Sequence, residues 1–224
     1  MKEPATWRVR PRQVSHPLTV RLRGSSDSDC FHQIFVGEEY AAVRNLPNVR
    51  LVLDLGANAG FASAYFLNCF PDCQVVAVEP DDENAAICES NLRTYGKRAR
   101  VLRGAAWSEC TRLRLRNDFG DGRSWALQAA PAEDGAGAIQ AWDVATIIEM
   151  TGLSAVDLLK VDIEKGELAV FDKSARHWLP RIRNICIELH DPECRNVFFR
   201  ALADFYYELE CSGEYTICRN LRPR

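Results

Sequence analysis

Along this chain the apolar residues change their spacing in a repeating way. From Arg50 onward, short continuous apolar runs alternate with stretches whose apolar residues recur at helical spacing, which predicts βαβ units around a mostly parallel sheet. The first run, Leu51-Val52-Leu53-Asp54, ends in glycines. A helix from Gly60 to about Phe70 follows, then a second strand from Gln74 to Glu79, closed by Pro80. Asp81 and Asp82 stand where the next helix begins, and Glu83 to Tyr95 places Ala86, Ile87, Ser90 and Leu92 at helical spacing. Arg100 to Gly104 is the third strand. Between 111 and 130, Leu113 and Leu115 alternate with Arg112, Arg114 and Arg116, a period of two that predicts an inserted hairpin. A short helix over Asp143 to Met150 leads to a fourth strand, Val156 to Asp162, and Ile182 to Leu189 forms a fifth, reaching Glu188 and His190. After a helix near Glu193 to Asp204, the runs Phe205 to Cys211 and Tyr215 to Cys218 flank Ser212-Gly213-Glu214 and read as an antiparallel pair. The expected organisation is one structural domain, with an N-terminal arm and cap over 1–49 and a ligand-binding unit over 50–224.

Composition narrows the function only slightly. The chain has 224 residues, 47% hydrophobic and 26% charged, ordinary for a soluble globular protein of one core. A net charge of −3 gives no overall pull toward nucleic acid or anionic membrane. The exception is an arm holding Arg8, Arg10, Arg12, Arg21 and Arg23 against Glu3, read as a solvated tail beside a first strand. Nine cysteines, odd in number and scattered through apolar runs, read as reduced core thiols. Cys69 and Cys73 have no second Cys/His pair with which to hold zinc. No secretory apolar segment opens the chain and no run approaches the ~20 residues of a membrane span, so a cytoplasmic protein is expected.

The strongest chemical signal is Asp54-Leu55-Gly56-Ala57-Asn58-Ala59-Gly60, set between a strand and a helix, with Glu79 at the end of the following strand. Glycines allow a sharp turn and close approach of a ligand to the backbone, while the helix start offers unpaired N–H groups. A dinucleotide fingerprint would read G-x-G-x-x-G, whereas this loop reads D-x-G-x-x-x-G, and Asp54 would repel a pyrophosphate. The same carboxylate suits a ligand ammonium, and Glu79 suits two ribose hydroxyls. S-adenosylmethionine carries both groups and no phosphate, so it is the expected cofactor.

These blocks, together with Arg23 to Asp27, Glu39-Tyr40, Val78-Glu79-Pro80, Leu158 to Glu167 and Glu188-Leu189-His190, give a chain that resembles the FkbM family of S-adenosylmethionine-dependent methyltransferases over nearly its whole length. The resemblance implies a Rossmann-like α/β fold of class I, with seven strands in the order 3-2-1-4-5-7-6 and the last strand antiparallel. It also implies methylation, mostly of oxygen, in a sugar, glycan or other small molecule. By position it places Asp54, Gly56, Asn58 and Gly60 at the methionine end, Glu79 with Pro80 at the ribose, and Ala105, Ala106 and Trp107 near the adenine. Two departures stand out. Gly104-Ala105-Ala106 offers only backbone and small side chains where many methyltransferases carry an acid. Asp162-Ile163-Glu164-Lys165-Gly166-Glu167 has lysine where the family's D-I-E-G-x-E has glycine.

Methyl transfer from a sulfonium needs alignment and, for a hydroxyl acceptor, removal of a proton. Asp162, Glu164, Glu188 and His190 all reach the carboxyl edge of the sheet, where open α/β sheets bind ligands. His190 is the expected base. Asp162 is expected to face the sulfonium or acceptor, Glu188 the acceptor or His190, and Glu164 and Glu167 to serve a helix start. Three acids and a histidine suit a divalent cation in principle, but no metal is expected. The competing functions are a non-catalytic S-adenosylmethionine-binding scaffold and an RNA methyltransferase, the latter weakened by the overall charge.

Overall fold

The computed structural model describes residues 5–116, 128–131 and 138–224, so the parts of the predicted insertion at 117–127 and 132–137 lie outside the described residues. The chain opens with a hairpin of β1 (Thr6–Val9) and β2 (Leu18–Arg21) and helix α1 (Asp27–Phe35). Next come β3 (Leu51–Leu55), α2 (Phe61–Cys69), β4 (Gln74–Glu79), α3 (Asp82–Leu92) and β5 (Ala99–Arg103). The insertion supplies β6 (Ala105–Trp107), β7 (Thr111–Arg116), β8 (Gln128–Pro131) and β9 (Ala138–Asp143). The remaining elements are α4 (Val144–Glu149), β10 (Leu158–Val161), α5 (Glu167–Val170), β11 (Ile185–Glu188), α6 (Pro192–Ala201), β12 (Phe205–Ser212) and β13 (Tyr215–Pro223).

Seven strands form the main sheet in the order β12-β13-β11-β10-β3-β4-β5. Numbered by appearance within that sheet, this is 3-2-1-4-5-7-6, with β13 antiparallel to both neighbours and β3, β4, β5, β10 and β11 parallel. Every residue of β3 is buried, as expected for a central parallel strand covered on both faces. Alternation sends Leu51, Leu53 and Leu55 into one apolar layer and Val52 into the other. Three helices start where an aspartate side chain accepts a backbone N–H of the first turn: Asp81 from Asn84 (2.8 Å), Asp143 from Thr146 (2.8 Å) and Asp191 from Cys194 (2.8 Å). The predicted hairpin is present as β7 and β8, and it continues into β9, which closes a four-stranded sheet in the order β6-β9-β7-β8.

Two expectations about faces are corrected. In α3 the buried side runs through Asn84, Ala85, Cys88, Asn91 and Leu92, with Ile87 packed against the core, while Ala86 and Ser90 are exposed. The reason is that two polar residues face inward: Asn91 donates to the carbonyls of Thr19 and Ala59, and Asn84 accepts from Arg21. The arm is likewise only partly a solvated tail. Val14, Leu18, Val20, Ile34, Phe35, Tyr40 and Val43 belong to the same buried cluster as α2. Arg21 is buried, its guanidinium bonding Asp27 through Nε (3.0 Å) and Nη2 (2.6 Å), whereas Arg8, Arg10, Arg12 and Arg23 are exposed. All nine cysteines are free thiols, but Cys110 and Cys211 are exposed rather than in the core. Among the described residues no helix is long and apolar enough to cross a membrane.

Candidate active site

The glycine loop leaves β3 at Gly56, whose φ of 82° is left-handed. A Cβ there would fall 1.7 Å from the carbonyl oxygen of Asp162, so only glycine fits against the neighbouring strand's end. The N–H groups of Gly56 and Ala57 both reach the Val78 carbonyl at 3.0 Å, which ties the loop to β4. Asn58 donates its backbone N–H to Glu79 Oε2 at 2.7 Å, and its side-chain amide donates to Ser26 Oγ at 3.0 Å. Glu79 Oε1 accepts the N–H of Asp81 at 2.9 Å. Each carboxylate oxygen therefore has one backbone partner and retains further acceptor capacity. Burial pushes the Glu79 carboxyl up to about 7, opposed by those N–H groups.

Beside this loop lies a cavity of about 250 Å³. Six of the residues expected to bind cofactor line it: Gly56, Asn58, Glu79, Pro80, Ala105 and Ala106. Trp107 also lines it while packing against the small cluster of Ala105, Leu113 and Ala141. Gly60 stands behind the wall, where it caps α2 at φ 80° and packs on Cys88. Asp54 also lies behind it, fully buried, and the expectation that it meets a ligand ammonium is corrected. Its Oδ2 accepts from Ser63 Oγ (2.6 Å), and its Oδ1 lies 3.1 Å from Nζ of Lys160, an ammonium of the protein itself.

At the other end of the cavity stand Asp162, Glu164, Glu188 and Glu214. His190 sits beside them. Its Nδ1 is 2.9 Å from Glu167 Oε1, and its Nε2 is 3.6 Å from Asp162 Oδ1, 3.7 Å from Glu188 Oε1 and 3.8 Å from Glu164 Oε2. Burial alone would lower the histidine's pKa, but the Glu167 hydrogen bond and the surrounding carboxylates outweigh it and raise it to about 9. Glu188 is pushed up to about 7, first by burial and then by the charge of Asp162. Asp162, Glu188 and His190 could also hold a metal ion, since one ligand atom from each lies within 4.8 Å of the others. The altered turn is accommodated by strain: Glu164 and Lys165 take φ of 46° and 68°, and Gly166, at φ −64°, opens α5.

Several residues of the site were not singled out from sequence. Lys160 donates to the Gly56 carbonyl (2.7 Å) besides its contact with Asp54, and nearby Asp162 lies 3.6 Å away. Burial lowers its pKa, and those carboxylates more than reverse the effect. A lysine inside a wholly buried strand was the available signal. Glu167, read as a helix-start residue, turns inward and holds His190. Asn84 and Cys30 line the cavity, the first beside Glu79.

The family model of the methyltransferase FkbM domain matches residues 54–211, which span the glycine loop, the acidic turn and Glu188 to His190. The chain belongs to the FkbM methyltransferase family. Within curated proteins, this FkbM chain is 25% identical over 182 residues to 2-O-methyltransferase NoeI of Sinorhizobium fredii, covering 74% of each. It is also 25% identical over 199 residues to the AMB antimetabolite synthetase AmbE of Pseudomonas aeruginosa. That match takes in 72% of the chain and only 9% of AmbE. Among solved structures, the precorrin-6y C5,15-methyltransferase of Geobacter metallireducens superposes with a TM-score of 0.52 at 11% identity, covering 96% of this chain and 100% of that one. At that identity the likeness speaks for the fold, which is that of the class I methyltransferases.

Proposed function

We propose that the protein transfers the methyl group of S-adenosylmethionine to an oxygen of a small-molecule or glycan acceptor. The observation that carries this reading is the buried Glu79 carboxylate, fixed by two backbone N–H groups and lining a cavity together with Ala105, Ala106 and Trp107. The cavity's charge fits the donor as well. Among the described residues no lysine or arginine lines it, while Glu79, Asp162, Glu164, Glu188 and Glu214 do. Such a wall favours a sulfonium and disfavours a pyrophosphate. The likeness to NoeI, a 2-O-methyltransferase, supports oxygen as the acceptor atom.

When bound, S-adenosylmethionine supplies a methyl group already activated for in-line displacement. The chain supplies the rest. Glu79 would accept the ribose hydroxyls, and the small side chains of Ala105 and Ala106 would leave the adenine edge to backbone groups. Asp162 and Glu188 set a negative field around the reacting end. His190 would take the hydroxyl proton at Nε2, oriented by Glu167 at Nδ1. Glu167 is thus a positioning residue. No step requires a metal in this reading. Incubation with S-adenosylmethionine and a panel of free mono- and oligosaccharides tests it. The expected result is S-adenosylhomocysteine in step with one methyl gained on oxygen. Transfer confined to RNA or to nitrogen would contradict it.

A further inference from the structure

With Asp54 engaged by Lys160, the ammonium of the donor's amino-acid end needs a different partner. A second cavity of about 60 Å³ adjoins the first, sharing Gly56, Asn58, Cys30, Gln33, Asp162 and Glu188 in its walls. Its remaining wall adds Glu39 and Lys160, so that three acids (Glu39, Asp162 and Glu188) and one cation already paired with Asp54 line it, a balance that favours an ammonium. We infer that Glu39, delivered by the N-terminal segment, receives the α-ammonium of the methyl donor, an inference that rests on the donor reading above.

Glu39 is suited to this in three ways. It is half-buried, and among the described residues no cationic side chain lies within ion-pair distance of it. Burial pushes its carboxyl up to about 7, partly offset by Lys160. An arriving ammonium would supply the missing counter-charge. It is also held in place. The adjacent Tyr40 is buried, its ring 5.0 Å from those of Phe66 and Tyr215 and its hydroxyl 2.8 Å from the Tyr215 hydroxyl. The N-terminal segment would then contribute to donor binding directly rather than only covering the acceptor.

The test compares two ligands that differ in the amino-acid end. S-adenosylhomocysteine carries it and 5′-methylthioadenosine lacks it. Glu39→Gln should weaken S-adenosylhomocysteine binding by about 10–150-fold, the equivalent of ~1.5–3 kcal/mol for a hydrogen bond to a charged group, and leave 5′-methylthioadenosine within about twofold. Glu39→Asp, which keeps the charge on a shorter stem, should lose less than Glu39→Gln. Equal losses for both ligands, or none for either, would overturn the role of Glu39 while leaving the donor assignment intact. A wild-type protein that binds neither ligand would overturn both.

Discussion

Asp54 and Lys160 sit directly opposite one another on the adjacent parallel strands β3 and β10, with Oδ1 and Nζ 3.1 Å apart and both side chains buried. The ammonium also reaches the Gly56 carbonyl, so one buried cation braces the glycine loop from below. Removing one partner leaves an uncompensated charge in the core. Lys160→Met should therefore destabilise the protein by ~3–5 kcal/mol in urea unfolding. Adding Asp54→Asn to that variant should recover part of the loss. A double variant no more stable than the single one would show that the pair is not coupled in this way.

His190 carries the proton-transfer proposal. His190→Ala should lower kcat by about 10²–10⁴-fold while leaving S-adenosylhomocysteine affinity within a few-fold. Glu167→Gln should lower kcat less and move the pH profile toward acid, because the carboxylate that raises the histidine's pKa is gone. Glu167→Ala that unfolds would leave Glu167→Gln, of the same shape, to carry the measurement.

The sign of the pH dependence follows from the same contacts. At neutral pH His190 is protonated, so turnover should climb as pH rises toward about 9. A rate that rises through pH 7 and is level by about pH 8 would move proton acceptance to Glu188, whose carboxyl titrates near 7. Stability should run the other way. A histidine whose folded pKa is raised from ~6.5 contributes stability that is fully present below that value and lost as pH rises through about 9. Urea midpoints between pH 6 and 9 should fall more steeply for the wild type than for Glu167→Gln.

Most of the main sheet was legible because buried parallel strands read as unbroken apolar runs, and because Asp81 marks a helix start by its chemistry. The strand order came from the family resemblance. What the sequence concealed depended on register and on buried polar contacts. Asp54 beside glycines suggests a ligand, and only its pairing with Lys160 across β3 and β10 shows where its charge is answered. In α3 the spacing pointed to Ile87 and Leu92, which pack on the core, but not to Asn84 and Asn91, whose burial depends on contacts with the arm. Glu167 occupies the first turn of α5, where an acid has a sufficient local reason to be, and its grip on His190 crosses 23 residues of sequence.

Lys165 offers a test of the altered turn. Its φ of 68° is one that glycine adopts without strain, and its contact with Asp191, 3.5 Å away, is partly exposed. Lys165→Gly should stabilise the protein by ~0.5–1 kcal/mol, the left-handed penalty less the entropy glycine gives the unfolded chain. A loss of stability would mean that the lysine side chain matters more to the turn than its backbone strain.

If this cavity holds S-adenosylmethionine with Glu79 on the ribose, affinity for the demethylated product must depend on that carboxylate. The most direct measurement is calorimetric titration of S-adenosylhomocysteine into the wild type and Glu79→Gln, with NAD as the comparison ligand. Replacement by glutamine keeps the side chain's size while removing the charge and half of its acceptor capacity. The expected result is saturable binding to the wild type, weakened about 10–150-fold in the variant, and no saturable binding of NAD. Equal affinity of folded wild type and variant, or micromolar binding of NAD, would contradict it.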